Sequence, residues 1–198
     1  MQSKKRVKLI AVTGGIGSGK TTAIDAIKSA GYFTLSCDGE ISALYKKRRV
    51  LKKLKAIFPF AVKGRIRLTV DRKALAERVF SDKEQLKKLN HLMHPLVMER
   101  VITLAKKSGK EKAFIEVPLL FESGYQTAFD AVIIIVRDRA LRIESVKTRS
   151  KLTEKEIEKR IESQFDYDRA DLSVYTVIVN EVDQNAFIEK VLDIAKKI

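Results

Sequence analysis

"LIAVTGGIGSGKTT", Leu9 to Thr22, is the stretch on which the fold turns. Apolar residues Leu9–Val12 run through Thr13 into glycines at 14, 15, 17 and 19, and the run closes on Lys20, Thr21 and Thr22. Gly14 to Thr21 fills the pattern G-x-x-x-x-G-K-[ST] in full, between a predicted strand and a predicted helix. Glycines let backbone N–H groups wrap an anion where a Cβ would intrude. The helix that follows aims its positive end, about half an elementary charge, at the same point. The pattern therefore predicts a nucleoside triphosphate site built from Gly15, Ile16, Gly17, Ser18, Gly19, Lys20, Thr21 and Thr22. Lys20 is expected on the β- and γ-phosphates, and the Thr21 hydroxyl on Mg²⁺, the metal cofactor that accompanies ATP as co-substrate. With glycine near 7% of residues, a chance match in a chain this long is below about one in a hundred. A kinase, a GTPase and a motor ATPase all fit this loop. The chain lacks an N-K-x-D guanine-reading element, which argues against the second.

The 198 residues suffice for one sizeable core. Apolar content of 45% against 33% charged residues fits a globular chain rather than a disordered one. No apolar run is long enough to span a bilayer, so no membrane partner is expected. The basic opening "MQSKKRVKLIAVTGG" resembles a signal peptide only until its short apolar run meets the glycines; it reads as a first strand. The lone Cys37 cannot form an internal disulfide, which suits a reducing cytoplasm. Net charge is +15, from 40 Lys+Arg against 25 Asp+Glu, and implies anionic company. The densest basic run, "KKRRVLKKLK" (Lys46–Lys55), reads as a solvated helix face with Val50, Leu51 and Leu54 turned inward. It lacks the interleaved aromatics of a single-strand platform, and no nucleic-acid partner is expected.

Five apolar runs read as strands: Lys8–Val12, Tyr32–Leu35, Ala113–Val117, Ala131–Val136 and Thr176–Val179. Helical patterns separate them, the first marked by Ala23, Ile24, Ala26, Ile27 and Ala30, with Gly31 as its stop. The alternation predicts an α/β fold, a P-loop NTPase-type three-layer sandwich around a five-stranded parallel sheet. Residues 1–198 read as a single kinase-type domain with two elaborations. Residues 36–112 form a helical substrate-binding insertion, with amphipathic segments Arg72–Phe80, Lys83–Leu92 and Pro95–Lys107, and the charged residues 137–170 form a helical lid. Both leave carboxyl ends of strands, where open α/β sheets bind ligands.

Four stretches together resemble the dephospho-coenzyme A kinase family, nearly end to end and in order. They are "VTGGIGSGKTT", "DRKALAERVFSDKEQLKKLNHLMHPLV" (Asp71–Val97) ending in His94-Pro95, "VPLLFES" (Val117–Ser123) and "RIESQ" (Arg160–Gln164). The resemblance implies transfer of the γ-phosphate of ATP to the ribose 3′-hydroxyl of dephospho-coenzyme A. It implies ATP and dephospho-coenzyme A as partners; oligomeric state stays open. Three departures stand out. Where the family usually has Asp-Ala-Asp after strand two, this chain has Ser36-Cys37-Asp38. Where its lid usually carries two arginines four apart, this chain has Ser145 and Arg149, with Arg142 or Lys147 as stand-ins for the first. The family's Ala-Asp before the last strand is not evident in "VYTVIVN", although Asn180 matches.

Asp38 is the catalytic candidate, since a ribose hydroxyl needs a carboxylate to orient it and accept its proton. Position alone allows Asp38 equally to cap a helix beginning near Glu40; the resemblance favours catalysis and substrate binding. Lys20 and Arg149 are the other catalytic candidates, as cations on the transferred phosphoryl group. Arg160, His94 and Pro95 are assigned to substrate, with His94-Pro95 also read as a helix boundary. A solvated helix arginine is the plain alternative for Arg149 and Arg160. His91 and His94 have metal-ligand spacing but no second pair of ligands. Glu116 reads as a strand residue facing a neighbour, or else as a contact to Mg²⁺ through water. Cys37 reads as buried and unreactive, and Phe80, Phe121 and Phe129 as core, Phe121 doubling as a possible adenine stacker.

Overall fold

The computed structural model describes residues 6–181 and 183–198, the Phe80 side chain excepted; the basic opening Met1–Lys5 lies outside them. The chain divides into two compact units, one of residues up to 36 and from 105 onward, the other of residues 37–104.

The first unit is a parallel sheet of five strands in the order β2-β5-β1-β6-β7. The strands are β1 (Lys8–Thr13), β2 (Phe33–Ser36), β5 (Lys112–Glu116), β6 (Ala131–Val136) and β7 (Thr176–Val179). Central β1 pairs Ile10 with Phe114 on one side and with Ala131 on the other. Ile10, Val12, Phe114, Ile133, Ile135 and Ile178 share one face, as alternate residues of a strand must. Helices α1 (Lys20–Ser29) and α8 (Gln184–Lys197) close that face with Ala23, Ile24 and Ile27 and with Phe187, Val191 and Ala195. Asp183 caps α8 by accepting from Asn185 and Ala186 N–H. Gly31 ends α1 at φ +88°, its N–H donating to the Lys28 carbonyl. Strand order reverses at β1, so the loop after β1 opens at the crevice where such sheets take ligands. Two charged helices follow β6: α6 (Arg139–Arg149), capped by Asp138, and α7 (Glu154–Glu162), opened by a Thr153–Glu156 capping box. Val146 of α6 packs with Ile157 and Ile161 of α7, and Ile16 joins them.

The second unit holds α2 (Cys37–Leu44), α3 (Arg48–Ile57), α4 (Arg72–Phe80) and most of α5 (Lys83–Lys107), with a short hairpin of β3 (Val62–Lys63) and β4 (Thr69–Val70) that the sequence did not suggest. Val50, Leu51 and Leu54 of the basic run are buried, Leu54 fully, as expected of a one-sided helix. Burial of roughly 1.5–3 kcal/mol per side chain outweighs repulsion among lysines that face water. Leu51, Leu54, Phe58, Leu75 and Val79 form this unit's core, with Leu86 and Leu89 of α5 packed on it. Arg72–Phe80 is α4 as read, with Asp71 accepting from Ala74 N–H as its cap.

His94-Pro95 is not a helix boundary: Lys83–Leu92 and Pro95–Lys107 are one continuous helix with Pro95 inside it. Proline there removes a backbone donor and costs about 3 kcal/mol. Met93, Val97, Met98 and Val101 are all buried on either side of it, and their burial exceeds that cost.

Candidate active site

The loop between β1 and α1 is the phosphate-binding candidate. Gly19 is the N-cap of α1 and offers no side chain to cap its first turn, which leaves the helix end open to an external anion. Gly17 has φ +77°, and a Cβ there would stand 2.6 Å from the Arg142 carbonyl oxygen and 3.0 Å from its Cα. Only glycine lets the loop lie that close to the α6 backbone. Lys20 folds across the loop, its Nζ donating to the Gly14 and Gly15 carbonyls at 2.7 and 2.9 Å. The Ser18 hydroxyl is buried without a hydrogen-bond partner among the described residues.

Thr21, in the first turn of α1, donates its hydroxyl to Glu116 Oε1 at 3.2 Å. Glu116 ends β5, so the neighbour it faces is the residue read as the metal ligand. A hydroxyl beside a carboxylate is a set of hard oxygen donors, the kind that suits Mg²⁺. Among the described residues no cluster of three or more His, Cys, Asp or Glu is arranged to hold a metal.

Other supports come from far along the chain. Asn180, buried just after β7, donates from Nδ2 to the Ser18 carbonyl at 2.8 Å. Thr13 Oγ1 and the Tyr167 hydroxyl stand 3.2 Å apart, and burial pushes the Tyr167 phenol up to about 12. Gln164 Oε1 accepts from Ile16 N–H at 2.7 Å, and Arg142 Nε donates to the Ile16 carbonyl at 3.1 Å. Arg142 is buried, which lowers its pKa, while Asp168, 3.7 Å from Nη1, raises it. The sequence reading passed over Tyr167 and treated Arg142 only as a stand-in. The sole signals were Gln164 within "RIESQ" and the matching Asn180.

The lid candidates lie elsewhere. Arg149 is exposed at the end of α6 and Arg160 is exposed on α7; neither bonds the loop among the described residues. Phe121 stacks on Phe165 at 4.5 Å and meets the Tyr167 and Tyr175 rings edge-on, within an aromatic group rather than open for stacking.

In the second unit, α2 begins at Cys37, so Asp38 stands in its first turn and not at a cap before Glu40. Asp38 is exposed, and its backbone carbonyl accepts from the Ser42 hydroxyl. Glu40 forms an ion pair with Arg100, which ties α2 to α5. Cys37 is buried, as read. On α5, burial lowers the pKa of the His94 imidazole, and Pro95 is exposed.

With this geometry in place, comparison with known proteins is informative. The family model for dephospho-CoA kinase matches residues 8–185. A dephospho-CoA kinase of Bartonella quintana is 32% identical over 177 residues, 86% of this chain and 89% of that protein. The crystal structure of TT1252 from Thermus thermophilus superposes with a TM-score of 0.82 at 30% identity, covering 98% of each chain. A dephospho-CoA kinase from Campylobacter jejuni gives 0.63 at 26% identity, covering 96% of each. The loop between β1 and α1 thus sits in a chain matched from its first strand to its last helix, and that chain belongs to the dephospho-CoA kinase family.

Proposed function

We propose that this protein transfers the γ-phosphoryl group of ATP to the ribose 3′-hydroxyl of dephospho-coenzyme A, giving coenzyme A and ADP. The observation that carries the reading is the family match across residues 8–185, which takes in the acceptor-side stretches "HPLV" and "VPLLFES" as well as the loop.

In this reading the triphosphate lies along the Gly15–Thr22 loop, on amides other than that of Ile16, which Gln164 holds, and on the open N-terminus of α1. Lys20 leaves the two backbone carbonyls that it now bonds and turns to the β- and γ-phosphates, exchanging neutral acceptors for anionic ones. Mg²⁺, when bound, neutralises charge on the β- and γ-oxygens; Thr21, with Glu116 acting through water, would hold it. Asp38 orients the ribose hydroxyl and accepts its proton, a contribution of roughly 10²–10⁴ in rate. Arg149 offsets negative charge on the phosphoryl group in flight, and Arg160, His94 and Pro95 meet the acceptor. Residues 36–112 hold that acceptor, and residues 137–170 close to exclude water, which would otherwise take the phosphoryl group. No helix among the described residues is long and apolar enough to cross a membrane, and we place the reaction in the cytoplasm.

The test is direct. Pure protein with ATP, Mg²⁺ and dephospho-coenzyme A should yield coenzyme A, read by mass. Phosphorylation of a nucleoside or nucleoside monophosphate in place of dephospho-coenzyme A would overturn the assignment. So would ATPase activity stimulated by RNA with no transfer to a small molecule.

A further inference from the structure

Ile16, at the crown of the phosphate loop, is held by every chemical part it has. Its N–H donates to Gln164 and its carbonyl accepts from Arg142. Its side chain packs on the cluster of Val146 of α6 with Ile157 and Ile161 of α7, which Ile143 and Leu152 also cover. The Arg142 guanidinium also lies against Gly15, where a Cβ would stand 2.5 Å from Nη2 and 2.9 Å from Cζ. The chain leaving α7 continues this grip, with Tyr167 on Thr13 and Asp168 on Arg142. That strap is itself anchored: Phe165 donates its N–H to Glu122 at 2.8 Å and stacks on Phe121, both within "VPLLFES". The stretches "VPLLFES" and "RIESQ" therefore meet at one device that grips the loop.

A loop whose amides must point at phosphate oxygens gains from being set beforehand, since ordering it on binding costs affinity. A Gly-rich crown has little stiffness of its own. The two peptide planes that meet at Ile16 cannot rotate while Gln164 holds the N–H of the first and Arg142 the carbonyl of the second.

We propose that Gln164 and Arg142 are positioning residues for ATP: acting through the two peptide groups that flank Ile16, they preset the phosphate loop from the 137–170 segment. This rests on the reading of the loop as the ATP site and not on the identity of the acceptor. ATP affinity and amide exchange are read without acceptor, so a failed acceptor assignment leaves the test intact.

The experiment uses the full ¹⁵N-labelled chain. In Gln164→Leu, which keeps volume and loses the acceptor, protection of the Ile16 amide from hydrogen exchange should fall at least about tenfold. The Kd for Mg·ATP by calorimetry should rise about five- to tenfold, the size expected from one lost hydrogen bond. The Kd for dephospho-coenzyme A should stay within about twofold. Gln164→Glu keeps an accepting oxygen, and the Ile16 amide should regain its protection. Arg142→Lys carries the test if Gln164→Leu does not fold: lysine has no planar fork to span the Ile16 carbonyl and Asp168 together, and ATP affinity should fall about fivefold. A lower melting temperature with unchanged ATP affinity in either variant would make the residue merely structural and overturn the proposal, as would an Ile16 amide equally protected in Gln164→Leu.

Discussion

Replacing Gly17 by alanine separates two reasons a glycine can be required. Gly17 has φ +77°, and a Cβ on it would stand 2.6, 3.0 and 3.1 Å from the carbonyl oxygen, Cα and carbonyl carbon of Arg142. These are backbone atoms of a packed helix and cannot swing aside as a side-chain tip would. Gly31 is the matched control: its φ is +88°, but nothing lies within 4 Å of its Cβ position. A left-handed alanine costs roughly 1–2 kcal/mol. Lower entropy of the unfolded chain returns about 0.4–1 kcal/mol of that at either site. Gly31→Ala should therefore lose about 1 kcal/mol or less in urea unfolding, with Mg·ATP affinity unchanged. Gly17→Ala carries the same backbone cost plus overpacking of typically 1–3 kcal/mol, and should lose about 2–4 kcal/mol. The strain can be relieved only by moving the loop off α6, which turns its amides from the phosphates. The Kd for Mg·ATP should then rise at least about tenfold, an effect of about 1.4 kcal/mol. If both variants lost the same stability, or Gly17→Ala bound ATP as the wild type does, the close approach of loop and helix would not be what demands glycine.

Asp38→Asn should leave ATP affinity nearly intact and lower kcat by roughly 10²–10⁴, because the amide cannot accept the ribose proton; a kcat near wild type would remove Asp38 as base. Arg149→Ala should reduce kcat by about tenfold or more with a smaller change in ATP affinity, and the reverse pattern would make it a binding residue. Tyr167 gives a signature in alkali. Its folded pKa of about 12 lies above the ordinary 10, so burial favours the neutral phenol. That contribution is fully present below pH 10 and is lost as pH rises through 12. Across this window the wild type should lose about 2–3 kcal/mol more than Tyr167→Phe, measured by denaturant titration at each pH.

What the sequence made legible was local. The apolar runs placed all five sheet strands to within a residue at each end, because buried parallel strands are apolar on both faces. The order strand, glycine loop, helix placed Gly15 to Thr22 because every group involved lies within fourteen residues of Leu9. Pro95 misled because its backbone cost is visible locally, whereas the burial that overrides it depends on partners elsewhere in the fold. Arg142, Gln164, Tyr167 and Asn180 reach the loop across 126 to 162 residues of chain. No periodicity marks an arginine destined for burial on α6: Arg142 is one of many cations in a helix that reads as solvated. The Gly15 contact shows why it is different, since a guanidinium fits there only over a residue without a side chain.

The same geometry gives meaning to the departure at position 36. In the β2–β5 register Ser36 stands opposite Glu116. Side chains paired this way share a face of the sheet, with Cβ atoms about 5 Å apart. An aspartate at 36, as the family usually has, would set a second carboxylate beside the first. Two like charges at that spacing compete for ionisation, and one is pushed toward its protonated form unless a cation lies between them. With serine at 36 that second carboxylate is absent, and Glu116 accepts from the Thr21 hydroxyl with no acidic neighbour at the paired position of β2. The oxygen set at the head of α1 is therefore one carboxylate and one hydroxyl, Glu116 and Thr21. Asp38 is exposed in the first turn of α2, and its proposed work as the base is what the asparagine variant tests.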